Sequence, residues 1–113
     1  MNALAARSRS KAAAMPGISD LSRKAGEAAL LLKLLANENR LLILCQLAAE
    51  REMSVGAIAG AVGLSQSALS QHLGRMREDG LVATRRDGQT IYYRIADPNA
   101  SKLLSVLKAI YCP

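Results

Sequence analysis

The stretch between Ser54 and Gly80 constrains the fold more than any other part of the chain. Ser54 and Ser65 each stand at the start of a helical pattern, where a side-chain oxygen can accept a hydrogen bond from a free backbone N–H. Gly63 separates the two helices because it tolerates a left-handed backbone, and the small Ala59 permits a close helix crossing. Two short capped helices joined in this way predict a helix-turn-helix.

The periodicity then changes from helical to strand-like. Residues 82–86 and 89–95 flank an Asp-Gly pair, which is typical of a two-residue hairpin turn. Pairing across this turn sets Thr84 opposite Ile91 and leaves one face of the hairpin mostly apolar. We expect the other face to carry Arg85, Thr90, Tyr92 and Arg94.

Three further helices are predicted over residues 19–36, over residues 38–50 after an Asn37 cap, and from Asp97-Pro98 to the end. The first and last are apolar on two sides, so each is expected to meet its own core on one side and a second subunit on the other. Phe and Trp are absent, which leaves an aliphatic core. The expected fold is mainly α (α+β): a homodimeric winged helix-turn-helix with five helices and a two-stranded wing between the fourth and the fifth.

A net charge of +6 over 113 residues suits a polyanionic partner. Half of that excess lies in residues 1–18, which we expect to form a disordered basic arm ahead of a DNA-binding and dimerisation domain at 19–113. No apolar run approaches the roughly 20 residues of a membrane helix, and no secretory signal is present. The expectation is a cytoplasmic protein without membrane contact.

The same composition argues against catalysis. A chain this short, with few aromatic residues, has little room for a deep cofactor pocket, and it has neither a Cys-x-x-Cys motif nor a Ser/His/Asp set. The single histidine, His72, falls on an apolar helix face and is expected to pack rather than to bind metal. We therefore expect no catalytic residue, no cofactor and no metal site.

The helix that follows Ser65 has two unlike faces. Leu69 and Leu73 lie on the inner one, and the outer one is polar without charge until Arg77. Ordinary solvated faces usually carry Glu and Lys, whereas Gln and Ser hydrogen-bond base edges. We expect DNA contacts from Gln66, Ser67, Ser70, Gln71 and Arg77 on this helix. On the wing we expect them from Arg85, Arg86, Gln89 and Thr90, with a solubilising hairpin tip as the alternative.

Four segments together resemble the ArsR/SmtB family of winged-helix repressors: residues 34–41 (LLANENRL), 65–73 (SQSALSQHL), 80–82 (GLV) and 85–93 (RRDGQTIYY). The similarity spans nearly the whole ordered chain. It implies a homodimer that represses transcription from a palindromic double-stranded operator and releases the DNA when an inducer binds. Metal-sensing members carry Cys-x-Cys or Asp and His ligands that this chain lacks.

Cys45 and Cys112 resemble the cysteine pair of the BigR/SqrR subgroup, which responds to persulfides and to thiol oxidation. The resemblance implies that the two cysteines form a redox switch linked by a disulfide or polysulfide bridge. Small sulfur species or oxidants would be the inducers, and sulfide-detoxification genes the targets. Taken alone, Cys45 also fits a small core residue. Alternatives are a repressor that responds to a soft metal or metalloid ion, a small thiol oxidoreductase and a non-specific architectural DNA protein.

Overall fold

The computed structural model describes residues 17–112. Within them the chain forms six helices and three short strands, which makes the protein mainly helical with a small antiparallel sheet. The elements in chain order are α1 (Ile18–Arg23), α2 (Ala25–Leu35), α3 (Glu38–Glu50), β1 (Met53–Ser54), α4 (Val55–Val62), α5 (Gln66–Glu78), β2 (Val82–Asp87), β3 (Thr90–Ile95) and α6 (Pro98–Tyr111). The predicted arm at residues 1–18 lies outside the described residues except for its last two.

The chain divides into two units, Met1–Lys33 and Leu34–Pro113. In the first unit the prediction of one helix over residues 19–36 is wrong, because α1 and α2 are separate. Lys24 leaves the helical conformation at φ −105° and ψ 14°, and its N–H donates to the carbonyls of Asp20 and Leu21, both at 3.1 Å. This tightened turn closes α1, and α2 starts again with the Ala28 N–H donating to the Lys24 carbonyl.

In the second unit, α3 begins as the sequence predicts. The Asn37 side chain accepts a hydrogen bond from the Arg40 N–H at 3.1 Å. The helix buries Ile43, Leu44 and Leu47. It thereby supplies the central wall of the unit.

The helix-turn-helix is also confirmed. The Ser54 hydroxyl accepts from the Ala57 N–H at 3.3 Å, and the Ser65 hydroxyl accepts from the Ala68 N–H at 3.1 Å. Gly63 joins the two helices at φ 73° and ψ 24°, a left-handed conformation that strains residues with a side chain. The local chemistry of the sequence therefore sets both ends of the turn.

A compact terminator links α5 to the sheet. Gly80 has φ 76°, and its N–H donates to the Arg77 carbonyl at 3.1 Å. The Leu81 N–H reaches back to the Met76 carbonyl at 2.9 Å, and Leu81 itself is fully buried. These are the two hydrogen bonds of a Schellman motif. Strand β2 starts at the next residue, Val82.

The hairpin forms, but the predicted register is wrong by two residues. Thr84 pairs with Tyr93 rather than with Ile91, and the closing pair is Asp87 with Thr90. The two turn residues are thus 88 and 89, with Gly88 at φ 63° in the first central position, the glycine position of a type II′ turn. A shift of two residues keeps each side chain on its face, so the predicted polar face is confirmed.

The sheet has a third strand that the sequence analysis did not predict. Met53 pairs with Tyr93 and Ser54 with Tyr92, which gives the strand order β1-β3-β2. A strand of two residues has no measurable alternation. Strand β1 joins the start of α4 to the wing.

Helix α6 opens at Asp97, whose carboxylate accepts from the N–H groups of Asn99 and Ala100, with Pro98 in the first turn. The expected aliphatic core is confirmed, with one methionine added. The buried apolar residues are Leu35, Ile43, Leu44, Leu47, Ile58, Leu69, Leu73, Met76, Leu81, Val82, Ala100 and Leu104.

Candidate DNA-binding surface and thiol groove

Helix α5 separates into the two predicted faces. Leu69, Leu73 and Met76 are fully buried, whereas His72 is half-buried beside them. The residues of the predicted outer arc are all exposed: Gln66, Ser67, Ser70, Gln71 and Arg77. The arc is therefore free to enter a groove of DNA, with neutral hydrogen-bonding side chains ahead of its cation.

The wing contributes a second exposed set. Arg86, Gln89 and Thr90 surround the hairpin turn and are all exposed. Arg86 and Arg94 have no carboxylate within 4.0 Å among residues 17–112. Of these two, Arg86 lies beside the narrow turn, where an unpaired guanidinium group is well suited to a phosphate contact.

Arg85 differs from the other wing arginines because it has partners inside the chain. Its Nη2 donates to Glu52 Oε1 at 2.8 Å, and its Nε donates to Oε2 at 3.0 Å. The guanidinium also lies over the ring of Tyr92, 4.9 Å from the centroid. The hydrogen bond from Arg85 lowers the pKa of Glu52 below its ordinary value, and the carboxylate raises the pKa of Arg85.

Arg40 anchors the C-terminal end of α5. Its Nη1 donates to the Leu34 carbonyl at 3.0 Å and to Asp79 Oδ2 at 3.2 Å. The Arg40 side chain is only 15% exposed. The start of α3 and the residue that ends α5 are thus joined through one guanidinium.

A groove of about 500 Å³ opens between α3 and α6, and both cysteines line it. We call it the thiol groove. Its lining is mostly apolar: Leu41, Cys45, Ala48, Ala49, Leu104, Ser105, Leu107, Lys108, Tyr111 and Cys112. Both cysteines are free thiols and exposed. The alternative that Cys45 is a small core residue is therefore wrong for this chain.

The end of α6 holds Cys112 in place. Its N–H donates to the Lys108 carbonyl at 2.7 Å, which makes Cys112 the residue that caps the helix. Lys108 and Tyr111 line the same side of the groove and bring an ammonium group and a phenol to it. The second thiol is therefore carried by an ordered helix end.

The residues with a described structure contain no cluster of three or more His, Cys, Asp or Glu side chains suited to a metal ion. None of the helices they form is long and apolar enough to cross a bilayer.

Comparison with known proteins decides the family. The profile described as “Bacterial regulatory protein, arsR family” matches residues 37–84, from the cap of α3 into β2. The transcriptional activator HlyU of Vibrio cholerae is 42% identical over 95 residues, which cover 84% of this chain and 87% of HlyU. The chain belongs to the arsR family. The expected winged-helix resemblance is thereby confirmed.

Some of the similar proteins are named as repressors. The biofilm growth-associated repressor of Xylella fastidiosa is 42% identical over 93 residues, 82% of this chain and 81% of that protein. The crystal structure of the transcriptional repressor BigR from Xylella fastidiosa has a TM-score of 0.77 at 41% identity, covering 84% of this chain and 96% of BigR.

Two further solved structures bear on the site. Reduced HlyU from Vibrio cholerae has a TM-score of 0.76 at 42% identity, covering 83% of this chain and 98% of that one. The antimony-specific transcriptional repressor AntR has a TM-score of 0.72 at 36% identity, covering 79% and 80%. These relatives regulate transcription, so the chain is a DNA-binding regulator rather than an enzyme.

Sequence reasoning missed three parts of this arsR site. Nothing local connects Glu52 to Arg85, which are 33 residues apart. The stacking of Arg85 on Tyr92 follows from the observed register, in which the two are directly opposite. The presence of Lys108 and Tyr111 in the thiol groove depends on how α6 packs, which no sequence pattern reports.

Proposed function

We propose that the chain is a dimeric repressor that binds a palindromic operator in the bacterial cytoplasm and releases it when Cys45 and Cys112 become linked. The bridge is a disulfide or a polysulfide. The observation that carries this proposal is that two free, exposed thiols, far apart in sequence, line one groove.

The DNA-binding half of the proposal is based on two exposed polar surfaces. Helix α5 reads bases with Gln66, Ser67, Ser70 and Gln71, and Arg77 contacts a phosphate near its end. Arg86, Gln89 and Thr90 of the wing contact the backbone or the minor groove next to it. The positions of these side chains follow from the buried inner face of α5 and from the turn at Gly88.

Apolar side chains that the single chain leaves exposed support the dimer that we propose. Leu30 and Leu32 of α2 are 58% and 56% exposed, and Ile110 and Tyr111 of α6 are 60% and 77% exposed. Large exposed apolar side chains are typical of an interface, and α2 and α6 each carry such residues when taken separately. A palindromic operator matches the two-fold symmetry of such a dimer.

The switch chemistry consumes one persulfide for each disulfide. The thiolate of one cysteine attacks the outer sulfur of a persulfide RSSH, which gives a protein persulfide and releases RSH. The thiolate of the other cysteine attacks the inner sulfur and expels HS⁻, which leaves as H₂S. Two thiols are oxidised to a disulfide, while RSSH is reduced to RSH and H₂S. If a second RSSH first converts the other cysteine to a persulfide, attack of one protein persulfide on the inner sulfur of the other expels HS⁻ and leaves a three-sulfur bridge. In total two RSSH are then consumed, and two RSH and one H₂S are released.

Linking the cysteines changes the positions of helices that matter for binding. Cys45 lies on α3 and Cys112 caps α6, so a bridge draws the end of α6 toward α3 across the groove. Helix α6 also carries part of the proposed interface. A dimer must hold its reading helices about 34 Å apart, and a small rotation of one subunit against the other destroys that spacing.

The comparisons support the repressor half of the proposal, since BigR is a transcriptional repressor with this fold. The relative HlyU has been solved in a form described as reduced.

Gel-shift binding to the DNA upstream of the chain's own gene tests the proposal. Reduced protein should bind, and treatment with a persulfide or a mild oxidant should abolish binding. Cys112→Ser and Cys45→Ser should each bind whether treated or not. Ser105→Ala, which alters the groove lining but keeps both thiols, is the matched control and should behave as the wild type. If Cys112→Ser still dissociates on persulfide treatment, the switch lies elsewhere.

A soft metalloid ion is the second candidate inducer, favoured by the likeness to the antimony-specific AntR. Two thiolates that face one groove could hold a linear or three-coordinate soft ion. Intact-mass measurement after each treatment separates the two candidates. Retained ion mass supports the metalloid, whereas added sulfur or loss of both thiol hydrogens supports the thiol switch.

A further inference from the structure

Glu52 lies at the junction of α3 and the sheet, and the residue before it, Arg51, has an unusual backbone conformation. Arg51 has φ 69° and ψ −53°, and the Glu52 N–H donates to the Glu50 carbonyl at 2.8 Å. This is a γ-turn with a positive φ at its centre, a strained arrangement for a residue with a side chain. Such strain persists where surrounding contacts stabilise it and often lies at functional positions.

The contacts that hold this turn lead to the wing. Both carboxylate oxygens of Glu52 accept hydrogen bonds from the Arg85 guanidinium, a bidentate arrangement in which Arg binds a carboxylate with high geometric specificity. Tyr92 supports the other side of the guanidinium and is paired with Ser54 of β1. The bidentate Glu52–Arg85 pair therefore links β2 to the segment that directly follows α3.

We propose that Glu52 is a positioning residue for DNA binding. It holds Arg85, and with it the wing, at the angle that presents Arg86 to a phosphate. Arg85 acts through this pair and does not contact DNA itself. The inference rests on the DNA-binding part of the proposed function and is independent of the thiol switch.

The direction in which Glu52→Gln changes DNA affinity distinguishes a positioning role for Glu52 from the alternative, in which Arg85 contacts DNA directly. If Arg85 left Glu52 to bind a phosphate, Glu52→Gln would free the arginine and remove a negative charge near DNA, so affinity would rise. If Glu52 positions the wing, the same substitution lowers affinity. An exposed ion pair of this kind contributes little, so we expect binding about two- to fivefold weaker.

The experiment uses the reduced full chain and measures affinity by fluorescence anisotropy over a range of salt concentrations. Two probes are used: the duplex upstream of the chain's own gene and a random-sequence duplex. Glu52→Gln should bind both more weakly, while Glu50→Gln, which removes the same charge two residues away, should not. Tighter or unchanged binding by Glu52→Gln overturns the proposal.

The salt dependence adds a second readout. The slope of log K against log salt is negative, and each lost phosphate contact reduces its magnitude by about 0.9. Arg86→Gln should show that loss, whereas Arg85→Gln should weaken binding without it. A slope of smaller magnitude for Arg85→Gln than for the wild type would show that Arg85 contacts a phosphate, and would overturn the proposal.

Exchanging the two charges of the pair controls for the possibility that a single variant binds poorly only because it folds poorly. Arg85→Glu alone should bind poorly, and the double variant Glu52→Arg with Arg85→Glu should recover part of the affinity. No recovery contradicts the proposal. If the wild type binds both duplexes equally, the part of the proposed function that concerns a specific operator fails. The affinities of the variants for the random duplex still test whether Glu52 positions the wing.

Discussion

The guanidinium of Arg40 lies 3.2 Å from the carboxylate of Asp79, across 39 residues of sequence. The same Nη1 reaches the carbonyl of Leu34. Arg40 is the third residue of α3, and Asp79 caps the reading helix α5. The C-terminal end of α5 is thus fixed to the start of α3 by a cation that is largely shielded from solvent.

Replacing Arg40 should therefore reduce stability. Arg40→Gln leaves the Leu34 carbonyl and Asp79 without their donor, and because Asp79 is partly solvated we expect a loss of about 1–2 kcal/mol in the free energy of unfolding. Urea denaturation measures it. Arg23→Gln breaks a largely exposed ion pair with Asp20 and is the control, with an expected change below about 0.5 kcal/mol. Equal midpoints for the two variants would contradict the assignment.

The Glu52 carboxylate should titrate below the ordinary glutamate range. Because Arg85 stabilises its charged form, its pKa in the folded protein is lowered. Its contribution to stability is present above the pKa of the unfolded chain and is lost as pH falls through the folded value. Carboxyl-carbon NMR should give a midpoint near the ordinary value in Arg85→Gln and a lower one in the wild type. Identical midpoints would mean that the pair does not form in solution.

Two glycines should respond oppositely to alanine. Gly63 has φ 73°, so Gly63→Ala places a side chain in a left-handed conformation and should destabilise the protein by about 1–2 kcal/mol. Gly60 lies within α4 with open space around its Cα, and Gly60→Ala should stabilise by about 0.5–1 kcal/mol. Thermal unfolding compares the pair, and a shift in the same direction for both would contradict the account of the turn.

Base reading and phosphate contact should separate on α5. Gln71→Ala should reduce the preference for upstream over random DNA by about 1–3 kcal/mol and leave the salt slope unchanged. Arg77→Gln should weaken binding to both duplexes alike. It should also reduce the magnitude of the slope of log K against log salt by about 1. The measurement is anisotropy with both probes. If Gln71→Ala weakens both duplexes equally, Gln71 does not read a base.

The features that local chemistry controls could be predicted from the sequence. Helix starts at Asn37, Ser54, Ser65 and Asp97 each need only a side chain and a backbone N–H a few residues away. The hairpin register was missed because Gly88 fits either position of a two-residue turn. The break at Lys24 was missed because the helical pattern continues across it.

Contacts that join distant segments were beyond such reasoning. The Glu52–Arg85 pair and the Arg40–Asp79 pair each depend on tertiary packing, and charged residues at those positions look like ordinary surface residues. The two cysteines were singled out by a family resemblance, not by spacing. The structure adds that both line the same groove.

The terminator at Gly80 and Leu81 leaves no free linker between the reading helix and the wing, since β2 starts one residue after Leu81, and Leu81 also accepts from the Ala96 N–H at 2.8 Å. Helix α5 and the hairpin are therefore directly coupled, with no flexible segment between them. In the proposed dimer, this coupling would carry a movement of α5 directly into the wing, so that a change in the geometry between the two copies would displace both DNA-contacting surfaces together.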